Sequence, residues 1–280
     1  MARLSKVLAM SNVAIITGAA SGFGFELSKK LLALGWVVYA TDLNRDALAA
    51  IAEHGAIPMK LDVTLNADFD RVLKKVIKDQ NRIDLMVANA GFGSFSAVEE
   101  TSPEKVRQLF EVNVFGVERS IRAVLPQMRK QHSGRIMLVT SVVATVSMAG
   151  LGWYAATKHA VKAVANALRH EVKDLGIKIT VVEPGTVKTG FDAVAFNNLK
   201  ESRELGDYDK IMAGSGKWLG KLYKASPGPK QVVKKMLHAA TAKNPAPIYP
   251  ASWDVRALKV VFNLFGRRVT DSVILWLAKR

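Results

Sequence analysis

The chain has 280 residues, 49% of them hydrophobic and 23% charged, a globular composition that excludes a disordered chain. It has no cysteine, which excludes disulfides, thiolate metal sites and a cysteine nucleophile. Its five histidines (His54, His132, His159, His170, His238) form no ligand-spaced pair, so no metal is expected. The net charge is +16 and is concentrated late, with 16 Lys+Arg against 6 Asp+Glu in residues 200–280. That excess points to anionic partners, but no recognition motif accompanies it, and a nucleic-acid role is not expected.

In chain order, Met1 to Met10 is short and basic, and the apolar run Val13–Ile16 ends in Thr17-Gly18 without a cleavage site. No uncharged apolar run is long enough to span a bilayer, so a cytoplasmic protein is expected. Six runs rich in Val, Ile, Leu and Ala read as buried strands: Val13–Thr17, Trp36–Thr41, Ile57–Leu61, Leu85–Ala88, Arg135–Thr140 and Ile177–Val182. Helical patterns lie between them at Phe23–Leu34, Arg45–His54, Phe69–Asp79, Pro103–Arg129 and Tyr154–Leu175. Gly35, Gly55, Gly134 and Gly176 stand near helix ends.

Beyond Pro184 the pattern loosens. Residues 185–226 read as a substrate loop with short helices, followed by a helix over Lys230–Ala242 and a proline-bracketed strand near Ile248-Tyr249. Residues 255–280 read as a basic amphipathic extension of two short helices broken near Gly266. Alternating strands and helices imply right-handed crossovers, hence one α/β domain over 1–280, with a parallel seven-stranded sheet and helices on both faces.

The first strand runs into Thr17-Gly18-Ala19-Ala20-Ser21-Gly22-Phe23-Gly24. Glycines there let the chain turn tightly and approach a pyrophosphate, while the helix that follows offers N–H groups and a positive dipole end. The reading is a doubly wound Rossmann-type domain, with Gly18, Ser21, Gly22, Phe23 and Gly24 at a dinucleotide. Asp42, with Leu43 beside it, ends the second strand 24 residues past Gly18. A carboxylate there accepts from ribose hydroxyls and repels a 2′-phosphate, which favours NAD over NADP, although Arg45 is close enough to soften that preference.

Tyr154 and Lys158 are four residues apart and share a helical face. A tyrosine that titrates at about pH 10 is a poor base near neutrality, and a nearby cation lowers that value. The pair can therefore exchange a proton with an alcohol while a nicotinamide exchanges the hydride. His159 points about 100° away around the helix and reads as packing.

The glycine spacing, Asn89-Ala90-Gly91, Tyr154-Ala155-Ala156-Thr157-Lys158 with Ser141 before it, and Pro184-Gly185-Thr186-Val187-Lys188-Thr189 together resemble the short-chain dehydrogenase/reductase family over roughly residues 11–195. The resemblance implies a catalytic set of Asn113, Ser141, Tyr154 and Lys158, with Ser141 bonding the substrate oxygen and Asn113 holding a water that links Lys158 to solvent. It also implies cofactor contacts at Asp62, Val63, Asn89, Ala90, Gly91, Tyr154, Lys158, Pro184, Gly185, Val187 and Thr189. The helices Pro103–Arg129 and Tyr154–Leu175 match the family's dimer face, so a homodimer is expected.

The expected pocket is apolar. Phe92 and Phe95, Val142 to Trp153 (Val143 among them) and Phe191 onward would surround Ser141 and Tyr154, with no Arg or Lys between 142 and 153. That favours a small lipophilic substrate, a secondary alcohol or ketone (or alcohol/aldehyde), and the sequence here is most similar to the 17β-hydroxysteroid and retinol dehydrogenase branch. A reductase of smaller carbonyls, such as a sugar or 3-oxoacyl thioester, and a non-enzymatic dinucleotide sensor are the other readings of the same fold. In the tail, Leu258, Val261, Phe262 and Phe265 share one face, and Val269, Val273, Leu275, Trp276 and Leu277 make a second apolar surface. Arg256, Lys259, Arg267, Arg268, Lys279 and Arg280 stand around them, a pattern suited either to peripheral contact with an anionic membrane or to packing.

Overall fold

The computed structural model describes residues 11–188 and 206–278. Seven strands are present: β1 (Val13–Thr17), β2 (Val37–Asp42), β3 (Ile57–Lys60), β4 (Leu85–Ala88), β5 (Gly134–Val139), β6 (Ile177–Glu183) and β7 (Ile248–Pro250). They form one parallel sheet in the order β3-β2-β1-β4-β5-β6-β7. All seven strands were legible in the sequence to within a residue or two. Side chains alternate across the sheet, so neighbours on β1 serve opposite cores. Val13 and Ile15 pack beneath α3 (Asn66–Gln80), α5 (Gly116–Gln131) and α6 (Gly152–Glu171). Ala14 and Ile16 pack beneath α1 (Gly22–Ala33), α2 (Ala49–Ala52) and α8 (Lys230–Thr241). Each fully buried isoleucine contributes about 1.5–3 kcal/mol relative to exposure.

The helix expected over Arg45–His54 shrinks to a 3₁₀ turn, Asp46–Leu48, joined to the single turn of α2. The one expected over Pro103–Arg129 forms in three pieces: α4 (Pro103–Phe110), a π turn (Glu111–Phe115) and α5. Gly134 does not cap α5. His132 takes the left-handed conformation there (φ 50°), and Gly134 is needed for space, since a Cβ would stand 2.5 Å from Met128 Cγ.

The largest departure is in the segment read as a loop with short helices. Residues Asp209–Ala225 form a single 17-residue helix, α7. Gly214, Gly216 and Gly220 argue against a helix at about 1 kcal/mol each. Burial of Met212 and Leu219 against Phe95, Leu109, Val143 and Leu151 outweighs them. Both ends are tied down. The Tyr208 hydroxyl donates to the Glu99 carboxylate, and Ser226 Oγ donates to Thr186 Oγ1 at 2.7 Å. The last helix, α9 (Trp253–Ala278), changes direction at Gly266 (φ 71°, ψ −175°), the break expected from the sequence, and packs on α7 and β7. Among the described residues, no helix is long and apolar enough to cross a membrane.

From edge strand β3 the chain returns through α3 to β4, on the far side of β1. Strand order therefore reverses between β1 and β4, and a crevice opens at their C-terminal ends.

Candidate active site

That crevice is a cleft of about 660 Å³ lined by residues from the ends of β1, β2, β4, β5 and β6 and from α7. It gathers Gly18, Ser21, Gly22, Phe23, Asp42, Leu43, Asp62, Val63, Asn89, Ala90, Gly91, Phe92, Ser141, Tyr154, Lys158, Pro184, Gly185 and Val187, each expected from the sequence. Thr189 and Phe191 lie outside the described residues.

The glycine turn is built for close approach. Gly18 (φ 65°) and Gly22 (φ 55°) hold left-handed conformations, and a Cβ on Gly24 would stand 2.3 Å from Gly18 O. Gly24 thus packs α1 against the turn from behind and does not line the cleft. Asn89 Nδ2 donates to Thr17 O (2.9 Å) and Gly18 O (3.0 Å), locking the turn to the end of β4. Ser21 makes no side-chain cap, and the first turn of α1 carries no acid, so its N–H groups and dipole end remain available to an anion. Asp42 is held beside it: Oδ2 accepts from Ala20 N at 3.2 Å and Oδ1 from Asn44 N at 3.2 Å. The backbone cradle, the uncapped helix start and the carboxylate at the end of β2 fit a nicotinamide dinucleotide.

Across the cleft, Tyr154 and Lys158 project from α6 and Ser141 from the turn after β5. Ser141 hydrogen-bonds the Tyr154 hydroxyl, and its Oγ accepts from Val143 N at 3.4 Å. Burial pushes the Tyr154 hydroxyl well above the ordinary tyrosine value, as does the nearby Tyr223, while the Ser141 hydrogen bond opposes both. This is the reverse of the direction expected from a neighbouring lysine. Lys158 is itself buried: desolvation pulls its pKa down to about 8, and Nζ donates to Val139 O at 3.1 Å.

The Lys158 shift has a measurable consequence. An amine whose folded pKa lies below its unfolded value of 10.5 binds fewer protons in the fold than in the unfolded chain between about pH 8 and 10.5. Its burial cost is complete below pH 8 and is relieved as pH rises through that window. Tyr154, shifted upward, keeps its proton there. Relative to Lys158→Met, the wild-type protein is expected to gain about 2 kcal/mol of unfolding free energy between about pH 8 and 9.5. Denaturant titrations showing parallel pH curves for the two proteins would contradict the shift.

Asn113 is brought to the site but not into the cleft. It is fully buried in the π turn, Oδ1 accepting from Phe92 N (3.0 Å) and Nδ2 donating to Phe92 O (2.9 Å) and Thr157 Oγ1 (3.3 Å). Its amide is committed to these protein groups. Phe95 and Val143 are buried in the cluster under α7 and do not line the cleft. His159 is exposed on α6, outside the cleft, and bonds back to Ala155 O through Nδ1 at 2.9 Å, so it neither packs in the core nor joins the site.

Sequence reasoning missed Leu61, Gln108, Val112, Val139, Thr140 and Tyr223, which also line the cleft. Val139 and Thr140 immediately precede Ser141, and that adjacency was a usable signal. Gln108 and Tyr223 reach the cleft from helices far away in sequence, and no local pattern marks them.

The sequence pattern of the short chain dehydrogenase family matches residues 12–200. The chain is 31% identical over 263 residues to a probable short-chain type dehydrogenase/reductase, VdlC, of Helicobacter pylori, covering 93% of this chain and 96% of that one. It is 36% identical over 180 residues to a 3-ketodihydrosphingosine reductase of Bacteroides thetaiotaomicron, covering 64% and 65%. A short chain dehydrogenase/reductase of Burkholderia phymatum, solved in complex with NAD, superposes with a TM-score of 0.76 at 25% identity, covering 92% and 96%.

Proposed function

The chain belongs to the short-chain dehydrogenase family of NAD(P)-dependent oxidoreductases, and from that premise we propose that it interconverts a secondary alcohol and a ketone on a lipophilic body, with NAD preferred. The observation that carries this reading is the placement of Ser141, Tyr154 and Lys158 in one cleft that also presents the apolar and aromatic side chains Phe92, Val112 and Tyr223. Among the described lining residues Lys158 is the sole cation, so nothing there would clamp a carboxylate or phosphate of the substrate. The Bacteroides relative, named for a keto-sphingoid substrate, supports a lipophilic ketone. The hydroxysteroid and retinol likeness of the sequence belongs to the same class.

Ser141 Oγ and the Tyr154 hydroxyl would bracket the substrate oxygen. In reduction Tyr154 donates its proton to that oxygen, and in oxidation it removes one. A bound nicotinamide dinucleotide supplies or accepts the hydride and, when oxidised, brings a positive charge that favours tyrosinate. Lys158 would hold the ribose side of the cofactor and return the proton to Tyr154. The buried amide of Asn113 fixes the Phe92 backbone opposite Tyr154. Gly18, Ser21, Gly22 and Phe23 would hold the pyrophosphate, with Asp62 and Val63 at the adenine and Pro184, Gly185 and Val187 at the nicotinamide. Turnover with NAD against hydrophobic secondary alcohols and sugars, and with NADH against the matching ketones and 3-oxoacyl thioesters, tests the reading. Activity confined to thioesters or sugars would replace the substrate class, and no turnover with any of them would favour a sensor.

Asp42 carries the NAD preference. Asp42→Ala is expected to weaken NAD by roughly 1.5–3 kcal/mol, the scale of hydrogen bonds to a charged group, and to improve NADP binding, since Arg45 stands exposed nearby. A wild-type protein that binds NADP more tightly than NAD would overturn this assignment. A homodimer is proposed through the α4–α5 and α6 surfaces, where Phe115 and Val164 are about half exposed.

A further inference from the structure

The outward surfaces of α7 and α9 carry features the reaction does not use. On α7, Lys210, Lys217, Lys221 and Lys224 are all exposed and recur at spacings of seven, four and three, which aligns them in one stripe. The stripe lies on the side opposite buried Met212, Ser215 and Leu219. The helix holds a single acid, Asp209, at its first position.

On α9, buried Thr270, Ile274 and Ala278 mark the inward face at a spacing of four. Among the described residues of its outward face, large apolar side chains stand exposed. Leu264 is 71% exposed, Phe265 60% and Trp276 52%, with Val269, Val273 and Leu275 close to half exposed. Val269, Ser272, Val273 and Trp276 form a shallow groove whose rim is the cation Arg268. Arg267 beside it is also exposed. The two helices pack on each other, so the lysine stripe and the apolar helix belong to one structural unit.

We propose that α7 and α9 form a docking surface for an anionic phospholipid bilayer. Large apolar side chains with a tryptophan, flanked by exposed Lys and Arg, are the two components an interfacial helix uses: apolar burial at the acyl boundary and attraction to negative headgroups. Charge complementarity selects this occupant over a second copy of the chain. An isologous contact would set each cationic surface against itself. A bilayer bearing anionic lipid neutralises the same charges. The inner side of α7 presents Tyr223 to the cleft, so a docked protein would hold its substrate opening next to the lipid phase. The surface is independent of which alcohol the cleft accepts.

Vesicle flotation of the full chain tests this, with phosphatidylcholine alone or mixed with phosphatidylserine, at low and high salt. The protein is expected to float with the mixed vesicles at low salt and to be released by high salt. Each nearby basic charge adds about fivefold to partitioning, so Lys221→Gln with Lys224→Gln should weaken binding roughly 25-fold. Trp276→Ser with Leu264→Ser should abolish flotation while NAD-dependent turnover in solution is unchanged. Brominated lipid should quench fluorescence in the wild type and quench it less in Trp276→Phe. Absence of flotation at low salt would overturn the proposal, as would equal binding of wild type and variants. So would a fall in sedimenting mass on Trp276→Ser without vesicle binding by the wild type, since a second copy would then cover this face.

Discussion

Tyr154→Phe is expected to leave NAD affinity within about twofold of wild type and to lower kcat by about a hundredfold or more, the scale of a positioned general acid–base group. The substitution removes only the hydroxyl. The ring stays in the cluster it shares with Ala155, Leu151 and Leu219, so the fold around it has no reason to move. Ser141 keeps its contact with Val143 N but loses the hydroxyl it bonds across the cleft. Binding by titration calorimetry and stopped-flow turnover separate the two effects. A variant that keeps most of its kcat would remove the tyrosine from the chemistry, whereas one that loses NAD affinity equally would make it a structural residue.

The second large effect concerns stability. Lys162 stands one turn beyond Lys158 on α6, and its Nζ lies 2.9 Å from Oε1 of Glu183, which is fully buried at the end of β6. The same ammonium donates to Ala144 O (3.3 Å) and Thr145 Oγ1 (3.1 Å) in the turn that follows Ser141. It therefore joins three elements that carry the site: α6, the Ser141 turn and the strand that enters Pro184-Gly185. Removing one partner of a buried pair costs about 3 kcal/mol or more, because the other charge remains desolvated. Lys162→Met is expected to lose about that much, or roughly 5–10 °C of melting temperature for a chain of this size. Glu183→Gln added to it should recover much of the loss, a coupling measurable by a double-mutant cycle. A melting temperature unchanged by Lys162→Met would show that the pair contributes nothing net.

The legibility of this protein divides along a physical line. Strands buried on both faces must be apolar throughout, so Val13–Thr17 and Leu85–Ala88 stand out from the residue pattern alone. The glycine turn is equally visible, since only glycine satisfies φ 65° at Gly18 and the 2.3 Å approach behind Gly24. The spacing from Tyr154 to Lys158 puts both on one helical face by geometry alone. α7 was not legible. Its glycines lower local helix propensity, and what holds it is burial against Phe95 and Leu151, residues more than fifty positions away.

The sequence by itself thus determined the sheet, the glycine turn, the Asp42 carboxylate at the end of β2 and the shared helical face of Tyr154 and Lys158, because each is a demand of backbone geometry met within a few residues, whereas Ser141 was marked only by the family resemblance. The tertiary structure alone decided the rest. It turned the Asn113 amide into a brace for Phe92, and it moved Phe95 and Val143 out of the pocket and brought Tyr223 and Gln108 into it. It also reversed the expected shift of Tyr154 by burying its hydroxyl. The physical reason is common to all of these. Desolvation and packing depend on which distant segments close over a residue, and neither is written in the residue's neighbours along the chain.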